Sequence, residues 1–300
     1  MHFDPAVFFQ QIIIGILNGS IYGLVALGFS MIFLTTRLIN FAQGEQLMVG
    51  AYTYFYLSVV LKLPIIAALL GAVLFSIIVG LVVQKLTIQV LGKFDPNTNI
   101  AWILTTLAGG LIMVDIVKYF AGTEQKTVRR LIEGDAITIP GIGAKLEAQQ
   151  LAILVGAVVL MFALEAVHSK TTLGKALKAV AHDPATASLM GINPNFMVLY
   201  SFGLAGALAA IAGFLLAPTT FVFLSMGTFN GLKGFVAAVI GGIGSTKGAL
   251  VGGLVIGIIE SLAIFFNAAD LATAMVFFSL VLILLIKPQG ILGEALIEKV

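Results

Sequence analysis

Long apolar runs, each broken by a short polar or basic stretch, organise the chain from residue 6 to residue 286. They fall at 6–34, 46–61, 64–84, 100–121, 150–167, 196–217, 231–243, 246–266 and 271–286. Most approach the roughly 20 apolar residues that carry a helix across a bilayer. The pattern predicts an all-α polytopic membrane protein, one domain over residues 1–300, with about 8–9 transmembrane segments. The run at 231–243 is too short for an ordinary straight span. A discontinuous half-helix or short tilted span is expected there, which is tolerated only when other helices surround it. Asp4, with no basic region before the first run, does not fit a cleavable signal peptide, so that span is expected to stay in the membrane.

Composition agrees with the pattern. The chain is 60% hydrophobic and 10% charged, where soluble domains carry about 25% charged residues. A net charge of +2 without a basic stripe argues against a nucleic-acid partner. The absence of cysteine excludes disulfides and thiol chemistry. His2, His168 and His182 lie too far apart for a metal set. Neither a catalytic nor a metal site is expected.

Charge then orients the chain. With the N-terminus outside and nine crossings, the inner side receives Arg37, Lys85, Lys93, Lys170, Lys175, Lys178, Lys247, Lys287 and Lys299. The outer side receives Lys62, Lys126, Arg129, Arg130 and Lys145, with Lys118 and Lys233 inside spans. The inner excess obeys the positive-inside rule. Residues 122–150 form an outer (periplasmic) loop whose basic residues are balanced by Glu124, Glu133, Asp135 and Glu147. Within it, ITIPGIGAKLE, with Pro140, predicts a turn between short extended pieces. Residues 168–195 form the main inner loop. Lys170, Lys175 and Lys178 stand there against Asp183, followed by small residues up to Gly191. A basic, helix-forming insert in so apolar a chain reads as a surface held by a cytoplasmic partner.

Several residues inside the spans invite chemistry. Gly15, Asn18, Gly19, Tyr22, Gly23 and Ala26 follow i+3/i+4 steps and make a small, polar stripe on the first helix. The stripe fits close packing, and Asn18 and Tyr22 also fit a substrate pathway. Gly244, Gly248 and Gly252 recur every four residues, as do Gly253 and Gly257, which predicts close helix packing. Glu260 shares the Gly253–Gly257 face. A carboxylate in a span faces a cavity or a partner, so packing and pathway roles both fit it. GGIGSTKG, with Lys247 after Thr246, misses the phosphate-loop order of glycine, lysine and then Ser/Thr. No βαβ context surrounds it either. It is read as a flexible break.

INFAQGE (39–45) is read as an interfacial turn, with Glu45 near a helix start where its charge suits the dipole and Gly44 a possible hinge. Asp115 and Lys118 are spaced to pair on one helix face, with Tyr119 and Trp102 as interfacial anchors.

Four segments in order, LNGSIYGLVALGFSMIF with INFAQGE, LGKALKAVAHDPATASLMGIN, GLKGFVAAVIGGIGSTKGALVGGLVIGIIESL, and KPQGILG, resemble the branched-chain amino acid ABC transporter permeases of the H type. The likeness covers nearly the whole chain. It departs at Gln43, where histidine is frequent, at Ala185, where an acid is frequent, and in 84–99, which lacks an Arg-Pro-Leu-Arg type sequence. The resemblance implies a permease subunit of an ATP-driven importer in a bacterial cytoplasmic membrane. Its implied partners are a second permease (a heterodimer, or a homodimer), two cytoplasmic ATPases that bind the ATP, and an extracytoplasmic binding protein. The chain itself would need no cofactor. The resemblance also implies that 172–191 is the coupling region, with Lys175, Lys178, Pro184, Ala187 and Gly191 as its contacts. Family substrates include urea, short amides and aromatic acids besides branched-chain amino acids.

Two other classes compete. A secondary transporter would use Asp115 or Glu260 as an ion relay. An intramembrane enzyme would need a metal set or a nucleophile–base pair that the chain does not offer.

Overall fold

In the computed structural model, which describes residues 4–91, 100–130, 132, 136–138, 143 and 145–293, the apolar runs become helices. His2, Lys93, Glu133, Asp135, Pro140 and Lys299, named above, lie outside these residues, as do positions 92–99 of the 84–99 stretch. Helix α1 (Pro5–Thr36) starts where Asp4 Oδ1 accepts from Ala6 N at 2.9 Å and Pro5 takes the first position. It stops at Arg37, whose φ is 58°. There follow α2 (Gln43–Phe55), α3 (Ile65–Val83), α4 (Ala101–Ala121) and α5 (Ala148–Lys170). The chain continues through α6 (Thr172–His182), α7 (Pro184–Leu189), α8 (Pro194–Leu216), α9 (Met226–Gly241), α10 (Thr246–Phe265) and α11 (Ala272–Ile286).

Among the described residues seven helices are long and apolar enough to cross a membrane: α1, α3, α4, α5, α8, α10 and α11, with short flanking turns. Helices α2, of 13 residues, and α9, of 16, are not among them. Helices α1 and α8 sit at the centre of the bundle with most of their apolar windows buried, whereas α3, α4 and α11 leave most of theirs outside. Ile66, Leu74, Leu111 and Phe278 are among the outward side chains, as expected of helices that face lipid or another subunit.

Contacts sort the loops into the same two ends as the charges. Arg37 Nη2 donates to the Ala181 carbonyl at 2.8 Å, and Lys247 lies 4.0 Å from Glu165. At the opposite end Lys126 and Val222 form an antiparallel bridge and Tyr56 Oη donates to the Phe120 carbonyl at 3.1 Å. In the outer loop, Ile137–Thr138 and Lys145–Leu146 pair antiparallel, the short extended pieces expected there.

Helix α2 does not start at a membrane surface. Gln43 Nε2 donates to the carbonyl of Ala205, halfway along α8, at 3.0 Å. A Cβ on Gly110, halfway along α4, would stand 3.3 Å from Glu45 Cγ. The chain therefore turns back from Arg37 into the bundle, with Leu38, Asn40 and Ala42 buried, before α2 begins. This corrects the interfacial turn expected for INFAQGE. Irregular backbone at that depth persists because protein, not lipid, surrounds it. The short span expected at 231–243 is α9, running from 226 to 241, about 24 Å long.

The break after α9 is a defined turn tied down by hydrogen bonds. Gly242 and Gly244, with φ of 106° and 88°, make a turn that only glycine enters without strain. The KPQGILG segment clamps it: Ile291 N donates to the Ile240 carbonyl at 2.7 Å and Leu292 N to the Gly241 carbonyl at 2.8 Å.

Candidate functional site

Glycine spacing brings three polar side chains together inside the bundle. Gly253 and Gly257 of α10 lie against Gly15 and Gly19 of α1. A Cβ on Gly19 would stand 2.8 Å from the Gly253 carbonyl oxygen, and one on Gly15 would stand 3.0 Å from that of Gly257. Gly248 and Gly252 face α9 instead, against Gly241 and Ala237. Helix α10 thus uses two glycine faces to draw α1 and α9 close. Gly244 belongs to neither, since it lies in the turn before the helix.

On that frame Tyr22 (α1), Lys233 (α9) and Glu260 (α10) converge. Tyr22 Oη donates to Glu260 Oε2 at 2.7 Å, and Lys233 Nζ donates to Glu260 Oε1 at 2.5 Å. Lys233 Nζ also lies 3.3 Å from Tyr22 Oη and 5.4 Å from the centre of its ring. Side-chain exposure is 16% for Lys233 and 13% for Glu260, so the pair is shielded yet touches open space. Asn18 lies one turn from Tyr22 on α1 and is half-buried. The sequence brings Asn18, Tyr22 and Glu260 forward as pathway residues, but not Lys233, their cationic partner. Its signal was a lone lysine inside a short span beside Gly231 and Gly234.

A second polar contact joins the starts of α2 and α9. Thr228 Oγ1 donates to Glu45 Oε1 at 2.7 Å, while Glu45 Oε2 has no hydrogen-bond partner among the described residues. Glu45 is 8% exposed and packs on Gly227 and Gly110. Gly44 acts as a contact point here: Gly227 O and Gly231 Cα would lie 2.6 and 2.8 Å from a Cβ on it.

The third feature lies outside the bundle at the inner end. Thr171 Oγ1 accepts from Gly174 N and starts α6, and Asp183 Oδ1 accepts from Ala185 and Thr186 backbone amides and starts α7. Pro184 takes the first position of α7, Ala187 is buried, and Lys175 and Lys178 point to solvent. Val180, Ala187 and Met197 form a small core of their own that ties this elbow to α8. Gly191 ends it with a φ of 81°. At its tip Leu189 is 88% exposed and Met190 79%.

Of the other residues singled out, Asp115 and Lys118 both point away from the bundle, and no ion pair joins them among the described residues. Tyr119 is exposed at the outer end of α4. Trp102 is no anchor: it stacks on Phe41 with ring centres 6.4 Å apart, next to the buried start of α2.

Residues 11–286 match the family described as branched-chain amino acid transport system, permease component. The chain belongs to that family. The high-affinity branched-chain amino acid transport system permease protein LivH of Salmonella typhimurium is 30% identical over 304 residues, covering 98% of both chains. BraD of Pseudomonas aeruginosa, a protein of the same description, gives the same identity and coverage. The fructose import permease protein FrcC of Rhizobium meliloti is 28% identical over 194 residues, 61% of this chain and 53% of that one. Among solved structures, PsaBC from Streptococcus pneumoniae in complex with Fab is similar in fold, with a TM-score of 0.51 and 14% identity over 94% of this chain and 92% of that chain. This permease component is therefore a multi-pass membrane subunit of the ATP-binding-cassette importer class.

Proposed function

We propose that this permease component imports branched-chain or related hydrophobic amino acids, with ATP bound and hydrolysed on separate subunits. Its partners are a second permease subunit, a heterodimer before a homodimer, with two cytoplasmic ATPases and an extracytoplasmic binding protein in a bacterial cytoplasmic membrane. The substrate class rests on near full-length relatives described as branched-chain amino acid permeases.

The observation that carries the mechanism is the α6–α7 elbow, with Leu189 and Met190 exposed beyond the membrane-spanning helices. Two large apolar side chains at the tip of an otherwise basic surface suit the cleft of a soluble motor. Arg37 bonds the elbow at Ala181 and sits at the inner end of α1, which carries Asn18 and Tyr22. Closure of the ATPases moves the elbow, the elbow moves α1, and α1 shifts against the Gly253–Gly257 face of α10 that holds Glu260. Alternating access follows from that displacement, with Asn18, Tyr22 and Glu260 on the pathway.

The test is a double substitution, Leu189→Glu with Met190→Glu, in the purified complex. The permease should keep its yield and melting temperature while the ATPase subunits are lost from it. ATPases retained in full, with normal ATP-driven uptake, would remove the elbow from the mechanism.

A further inference from the structure

A charged pair held inside a membrane protein is costly unless each charge keeps a counter-charge. Lys233 and Glu260 meet that condition in each other, yet both retain some exposure. Glycine contacts already fasten α9 to α10 through Gly241, Gly248 and Gly252. The pair is thus an addition to an interface that closes without it.

We propose that Lys233 and Glu260 are the zwitterion-recognising groups of the pathway, a reading that rests on the import function above. Lys233 takes the α-carboxylate of an amino acid, while Glu260, steadied by the Tyr22 hydroxyl, takes its α-ammonium. A zwitterion can replace the internal pair without leaving a charge alone, because it brings one charge of each sign. An amine by itself occupies Glu260 and leaves Lys233 stranded in a weakly solvated site, and a carboxylic acid by itself occupies Lys233 and leaves Glu260 stranded. The pair therefore passes zwitterions and rejects solutes with a single charge. Phe229, one turn from Lys233 on the same face of α9, is 58% exposed and offers apolar surface for a hydrophobic substrate side chain.

The experiment uses the purified permease–ATPase complex without binding protein, so that no upstream step filters the solute. Thermal unfolding is followed against leucine, leucinamide (no carboxylate) and isocaproate (no ammonium). Leucine should raise the melting temperature saturably, and the two analogues should bind at least roughly tenfold more weakly. The neutral pair Lys233→Met with Glu260→Gln removes both charges together and should keep the assembly while abolishing the leucine effect. Charge reversal, Lys233→Glu with Glu260→Lys, should keep the pair but misplace both charges, and ATP-driven leucine uptake should fall at least tenfold. Equal effects of all three solutes, no leucine effect on the wild-type complex, or wild-type uptake by either double variant would overturn the proposal. Uptake by the wild-type complex with binding protein reports separately on the import function, so the two readings fail independently.

Discussion

Gly44 of α2 and Gly227 of α9 meet backbone to backbone: a Cβ on Gly44 would stand 2.6 Å from the Gly227 carbonyl oxygen. Two short helices that both begin inside the bundle touch here, and the neighbouring Glu45–Thr228 bond closes the joint. Because backbone cannot swing aside as a side chain does, Gly44→Val should cost at least about 1–3 kcal/mol through overpacking. Gly110→Ala meets the Glu45 side chain at 3.3 Å and Ala42 Cα at an ordinary contact distance of 3.6 Å, and should cost less. Melting in detergent distinguishes the two. Equal stability of both variants would mean that α2 and α9 are not in contact as described.

The ion pair gives a second expectation, on stability alone. Lys233→Met or Glu260→Gln leaves a shielded charge without its partner, a loss of about 3–5 kcal/mol. Removing both should restore much of it. A double-substitution cycle on the melting temperature measures the coupling, and additive losses would show that the two side chains act apart.

Gly191 tests the elbow. Nothing lies within 4 Å of a Cβ there, so a larger residue meets no crowding, only the strain of its φ of 81°. That strain is about 1–2 kcal/mol for an ordinary residue and less for asparagine. Gly191→Val should thus release the end of α7 and weaken ATPase docking, while Gly191→Asn keeps most of it. Co-purification of the ATPases with each variant is the measurement. Equal docking by both would separate the turn from coupling.

Acid should loosen the same elbow. The Thr186 hydroxyl donates to Asp183, and with the Thr186 and Ala185 backbone amides it holds the Asp183 carboxyl below the ordinary range. A lowered folded value means the contribution is present above the unfolded pKa of about 3.9 and is lost as pH falls through the folded value. Protection of the Ala185 and Thr186 amides from hydrogen exchange should drop in that acid window. It should be nearly independent of pH in Asp183→Asn, which keeps a capping oxygen without the titration.

Much of this was legible in the chain. Helices are written as apolar runs, the α6–α7 elbow as Lys175, Lys178 and Gly191 in a polar interval, and the α10 seam as Gly253 and Gly257 with Glu260 beyond them. What hid was depth and partnership. INFAQGE carries polar residues whether it lies at a surface or inside a bundle, and only the bond from Gln43 to Ala205 tells that it turns inward. Lys233 and Glu260 stand on different helices joined by a clamped turn, so no periodicity within one segment connects them. Gly227, Gly231 and Gly234 in α9 were the available sign that the helix is gripped on several sides.

Uptake into proteoliposomes that hold this permease with its partner permease, ATPases and binding protein tests the import function most directly. Radiolabelled leucine is offered against urea, short amides and aromatic acids. ATP-dependent leucine import that requires the binding protein is the predicted result. Leucine import that persists without ATP and collapses with an ion gradient would contradict it.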